Sequence, residues 1–134
     1  MRKNSYTGKY RLTKNEFLSA YYYAMRYNEW KDEYESLQDN LGAINYDGLP
    51  KGNALGNPTE DTGSMMAELK ARIEKIEQTV VETDDMLYKY LLKAVTNEGI
   101  TYNYLQMVMN IPCSKNTYYE RRRRFYYLLS KKIL

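Results

Sequence analysis

The 134-residue sequence contains no histidine and one cysteine, Cys113. These two shortages remove much of the usual chemistry. Histidine-based catalytic triads and the usual zinc ligand sets cannot be completed, and a single thiol cannot close an intramolecular disulfide. Long apolar runs are also missing. No stretch approaches the roughly 18 to 20 residues that a membrane-spanning helix needs, and residues 1–11 lack the apolar core of a signal peptide. The expected location is therefore the cytoplasm, with no membrane partner. Proline and glycine are scarce at three and seven residues, and two of the prolines and five of the glycines fall within 42–63. Adjacent carboxylates, Asp84 and Asp85, stand at a predicted helix start, where such residues serve as caps and dipole partners. An enzyme is thus the least favoured class, and no cofactor is expected.

Charge is present but unevenly placed. The net value is +3. Residues 1–14 hold five Lys/Arg and no acid, and residues 113–134 hold seven Lys/Arg against Glu120; the 98 residues between carry eight Lys/Arg and sixteen Asp/Glu. Two basic ends around an acidic middle suit a polyanion at one place and a different partner at another.

Apolar residues recur in steps of three and four through most of the chain. After a capping box at Thr13 and Glu16, the residues Ala20, Tyr23, Tyr27, Trp30, Tyr34, Leu37 and Leu41 predict one helix from Lys14 to about Asn40. Residues 42–63 predict an irregular linker, in which Gly48-Leu-Pro-Lys-Gly52 matches no complete phosphate-binding fingerprint. Met66, Leu69, Ile73, Ile76 and Val80 predict a second helix over about 64–83. The two seams can pair as an antiparallel, coiled-coil-like hairpin or, between two copies, as a homodimer through helices 13–41 and 64–83. Glu68, Glu74, Glu77 and Glu82 lie off the seam, on a solvated face. A third helix uses Leu87, Tyr88, Leu91, Leu92 and Val95 and stops near Gly99. Thr101 caps a fourth with Tyr104, Leu105, Val108 and Met109 on its apolar side. Ser114 caps a fifth that buries Tyr118, Phe125, Leu128 and Leu129. No stretch alternates as a strand would. The predicted class is all-α: a basic arm (1–12), a long helical hairpin (13–83) and a three-helix C-terminal unit (84–134) able to fold by itself.

Residues 100–132 have the outline of a helix-turn-helix, in which the second helix enters the major groove of duplex DNA and offers base edges its N-terminal turns. Ser114, Lys115, Asn116, Thr117, Tyr119, Glu120 and Arg123 occupy those positions. Arg121-Arg122-Arg123-Arg124 spans a full turn, so the four cannot point one way. Arg123 continues the Lys115, Asn116 and Tyr119 face as a base or phosphate contact, Arg121 and Arg124 flank the groove, and the stem of Arg122 covers the core. The sixteen tyrosines suit helix edges and interfaces, where an apolar ring with a polar tip is at home. Cys113 reads as a small apolar turn residue.

Several segments resemble one known family. Thr101-Tyr-Asn-Tyr-Leu105, Ile111-Pro-Cys-Ser-Lys-Asn-Thr117 and Tyr118-Tyr-Glu-Arg-Arg-Arg-Arg-Phe-Tyr-Tyr-Leu-Leu129 are similar to the C-terminal part of the ArpU/RinA-type late-transcription regulators of phages and prophages of Gram-positive bacteria. Leu12-Thr-Lys-Asn-Glu-Phe17, Gly48-Leu-Pro-Lys-Gly52 with Asn57-Pro-Thr59, and Ile73-Glu-Lys-Ile-Glu-Gln78 extend the likeness upstream. The resemblance implies a DNA-binding activator of late operons with a helix-turn-helix similar to region 4 of sigma factors; the two long helical seams then offer a surface for self-association or for contact with host RNA polymerase. Ser114 and Thr117 match that pattern, and Arg122 departs from it where such helices are apolar. Two other classes fit the same outline: a DNA-packaging protein like a small terminase subunit, which would form a large ring, and a phage adaptor that binds a host protein through its acidic middle.

Overall fold

Thr13 and Glu16 form the expected capping box: Thr13 Oγ1 accepts from the Glu16 amide at 3.1 Å, and Glu16 Oε1 accepts from the Thr13 amide at 2.9 Å. The box starts α1 (Lys14–Met25). The computed structural model describes residues 8–47 and 59–134, with side chains over 8–40 and 61–134. Within these, α1 is followed by α2 (Tyr27–Asp47), α3 (Thr59–Thr83), α4 (Tyr88–Thr96), α5 (Tyr102–Met109) and α6 (Lys115–Lys132). There is no strand among the described residues, so the chain is all-α.

Three boundaries differ from the sequence expectation. The helix predicted as one piece from Lys14 is interrupted at Arg26, whose amide is shared between the carbonyls of Ala24 and Tyr23; the shorter bond tightens the turn locally. Helix also continues into both sides of the expected linker 42–63, through Asp47 and from Thr59. Gly63 lies inside α3. One glycine costs a helix interior about 1 kcal/mol, too little to stop a helix with a long apolar seam beyond it. The Gly48-Leu-Pro-Lys-Gly52 segment lies outside the described residues.

The described chain divides into two compact units. One combines the residues up to Tyr27 with Lys75–Leu134, and the other is Asn28–Glu74. The first unit is therefore larger than the expected domain 84–134. Its additional elements are α1 and the last turns of α3, and α1 packs on α6 and α4. Phe17, Ala20 and Ala24 form the buried side of α1, the two alanines being small enough to let helices approach closely. The Phe17 ring meets Tyr126 of α6 edge to face, 5.0 Å between centroids. Ile76 and Val80 of α3, Leu91 and Val95 of α4, and Leu105 of α5 complete this core. Two buried hydroxyls are satisfied within α3: Thr79 donates to the Lys75 carbonyl at 2.6 Å and Thr83 to that of Thr79 at 2.7 Å. Tyr27 donates to Glu77 at 2.5 Å; burial and the neighbouring carboxylate push its phenol well above the ordinary range, so it remains a neutral donor. Of the arm predicted over 1–12, residues 1–7 lie outside the described residues; its last part belongs to this unit, with Leu12 buried and the Tyr10 ring tilted against Tyr127 of α6, 5.6 Å between centroids.

In the second unit Trp30, Leu69 and Ile73 are buried. The Arg72 guanidinium lies 5.3 Å from the Trp30 ring, a cation–π contact worth about 0.5–2 kcal/mol. Two predicted core positions of the first unit are instead exposed: Tyr88, and Val108, which is 63% accessible beside Met107 at 80%. Both α4 and α5 are short, and their buried sides are filled by Leu91, Ala94 and Val95 and by Leu105.

Candidate nucleic-acid interface

Thr101 caps α5, accepting from the Tyr104 amide at 3.1 Å. The helix ends at Asn110, which adopts the left-handed conformation (φ 58°, ψ 46°) that asparagine tolerates better than most residues. Its amide donates to Gln106 O at 3.1 Å, and the Ile111 amide donates to Leu105 O at 3.0 Å. Ile111 is buried, Pro112 cannot extend the helix, and Tyr102 Oη closes the turn by donating to the Cys113 carbonyl at 2.5 Å. Ser114 then caps α6, accepting from the Thr117 amide at 3.2 Å and donating to Thr117 Oγ1 at 3.1 Å. The result is helix, five-residue turn, helix. Burial pushes the Cys113 thiol up, assisted by Asp84 and opposed by Arg121.

The helix α6 is held by one side. Tyr118, Phe125, Tyr126 and Leu129 are buried, and burial lifts the Tyr126 phenol to about 12 and that of Tyr118 well above its ordinary value. Opposite Tyr118 and Phe125, Asn116, Glu120 and Arg123 follow one another at helical spacing on a common face, with Lys115 beside them and Tyr119 at its half-buried edge. Lys115, Asn116 and Arg123 are exposed and make no hydrogen bond or ion pair among the described residues. Tyr119 is half-buried, its ring 4.7 Å from Tyr118.

The arginine quartet divides sharply. Arg121, expected at the flank of a DNA groove, donates from Nε to Asp84 Oδ2 at 2.7 Å and also pairs with Glu120. Asp84 is fixed in turn, its Oδ1 accepting from the amides of Met86 at 2.9 Å and Leu87 at 3.0 Å. Burial raises the Asp84 carboxyl, but these hydrogen bonds and the guanidinium outweigh it and hold the group below the usual carboxylate range. Arg122 covers the core as expected, its guanidinium 5.1 Å from the Tyr126 ring. Arg124, also expected at the flank, turns back to the Glu82 carbonyl at 3.4 Å, and its Nε is buried. Arg123 is exposed, whereas the other three are half-buried and each has a partner within the chain.

Along that flank runs a polar groove lined by Glu82, Asp84, Asp85 and Glu120 together with Lys9, Arg121 and Arg124. Further along α6 the exposed face is covered, because Tyr10 packs on Tyr127 and the Lys131 ammonium lies 4.9 Å from the Tyr127 ring. The open part of the face is its first turns, where the sequence predicts contacts with bases. Sequence reasoning missed Asp84 as a partner of Arg121 because Thr83-Asp84-Asp85 signals only a helix cap; it missed Tyr10 because one aromatic residue in a basic stretch carries no periodicity.

No protein-family model, no curated protein and no solved structure matches the chain. Among the described residues, no helix is long and apolar enough to cross a membrane.

Proposed function

We propose that this chain binds duplex DNA through α5, the turn 110–114 and α6, and acts in the bacterial cytoplasm as a transcriptional regulator of the phage type that its sequence resembles. One observation carries the reading: on the first turns of α6, Lys115, Asn116 and Arg123 are exposed and unengaged while the opposite face is anchored by Tyr118 and Phe125. Lysine and arginine supply phosphate contacts, and asparagine and arginine can each make bidentate pairs with base edges. The uncharged α5 would lie across the backbone and offer its capped N-terminus to a phosphate. The test is selection of bound sequences from a randomised duplex pool, with and without bacterial RNA polymerase, followed by titration at two salt concentrations. A defined sequence preference and a steep salt dependence support the reading; absence of duplex binding overturns it. Mass measurement of the same sample separates a regulator, as monomer or dimer, from a packaging ring.

A further inference from the structure

We propose that Glu120 is itself a base-reading residue, selecting the exocyclic amino group of a cytosine, and that Asp84 and Arg121 are the positioning residues that aim it; this rests on the reading of α6 as a DNA recognition helix. A carboxylate in the middle of a DNA-facing surface needs a reason, since every phosphate repels it. Glu120 stands one turn after Asn116 and about one turn before Arg123, at the centre of the open face. It is 34% accessible. One of its oxygens, Oε1, accepts from Arg121 Nη1, which leaves Oε2 as an acceptor. The arginine that holds it is held by Asp84, and Asp84 by two backbone amides at the approach to α4. This chain of contacts links the Glu120 side chain through Arg121 and Asp84 to the backbone and leaves one of its oxygens without a partner.

The base edges then decide what it can meet. In the major groove guanine presents two acceptors, and thymine an acceptor and a methyl group; both repel or ignore a carboxylate. Adenine offers an amino group beside the N7 acceptor, whereas cytosine offers its N4 amino group as its only polar contact. Cytosine is therefore the base that a fixed carboxylate favours.

The full chain and its Glu120→Gln and Asp84→Asn variants are each used to select from a randomised duplex pool, with circular dichroism to verify that all three are helical. The parent chain should show cytosine at one position of its site. Glu120→Gln should change that position to adenine, because an amide pairs with both the amino group and N7, and should leave the other positions alone. Asp84→Asn keeps an acceptor for the Met86 and Leu87 amides and removes the charge that holds Arg121. It should weaken the cytosine preference at the same position by about tenfold. If the parent has a sequence preference that Glu120→Gln leaves intact, or if the altered position is not a cytosine, Glu120 is not a reader. If Asp84→Asn lowers affinity evenly across the site, its role is structural and the positioning claim falls. A parent chain that binds no duplex overturns the recognition-helix reading as well, a result distinct from the others.

Discussion

Arg121, Arg122, Arg123 and Arg124 are chemically identical, yet each step along a helix turns the side chain by about 100°, so four neighbours meet a carboxylate, a tyrosine ring, solvent and a carbonyl. Their substitutions should separate accordingly. Arg123→Ala should weaken duplex binding and reduce the slope of log affinity against log salt by about 0.9 if it meets one phosphate, with the melting temperature unchanged. Arg121→Ala should lower stability by on the order of 1 kcal/mol or less because the pair is partly solvated, and, since Arg121 holds Glu120, should relax the cytosine position while leaving the salt slope unchanged; parallel melting curves, salt titrations and selections distinguish the two. The Asp84 carboxyl gives a pH dependence of known sign. Its value is depressed in the folded chain, so its contribution is complete above the unfolded value of about 4 and is lost as pH falls through the lower folded value. The melting temperature of the parent should exceed that of Asp84→Asn near neutrality and converge on it below about pH 4.

The helices themselves were legible in the sequence because apolar spacing and caps are local signals. Thr13, Thr101 and Ser114 each cap where their side chains predict, and the seam Leu69, Ile73, Ile76 and Val80 is buried as its period requires. What spacing cannot supply is the partner of a seam. The stripe that begins at Ala20 and continues to Trp30 reads as one helix face, but α1 serves the unit containing α6 while Trp30 belongs with Arg72. The same limit applies to the site: Lys115, Asn116 and Arg123 are exposed as their register predicts, whereas Arg121 and Arg124 depend on residues 37 and 42 positions away. Because α1 packs on α6, Phe17→Ala should cost about 3–5 kcal/mol. It should abolish duplex binding despite lying far from α5 in sequence, as measured by chemical denaturation beside a binding titration at the same temperature.

At the scale of the whole molecule, the unit that holds α5 and α6 is assembled from two separated stretches of chain. A fragment of 84–134 lacks α1 and the Ile76 and Val80 turns, and should therefore melt without a cooperative transition. A chain in which 28–74 is replaced by about eight Gly/Ser residues should melt cooperatively and retain duplex binding. The bond from Tyr27 to Glu77 brings the two cut ends within a few side-chain lengths, a span such a linker covers at about 15 Å. Calorimetry of both chains checks the contrast. The discontinuity also orders events during synthesis. Helix α1 leaves the ribosome about 100 residues before its partner α6, a wait of roughly 5–20 s at typical elongation rates. Throughout that interval Phe17 has only Tyr21 of its own helix to meet, and the unit that carries the proposed DNA surface cannot close until Tyr126 and the rest of the final helix have emerged.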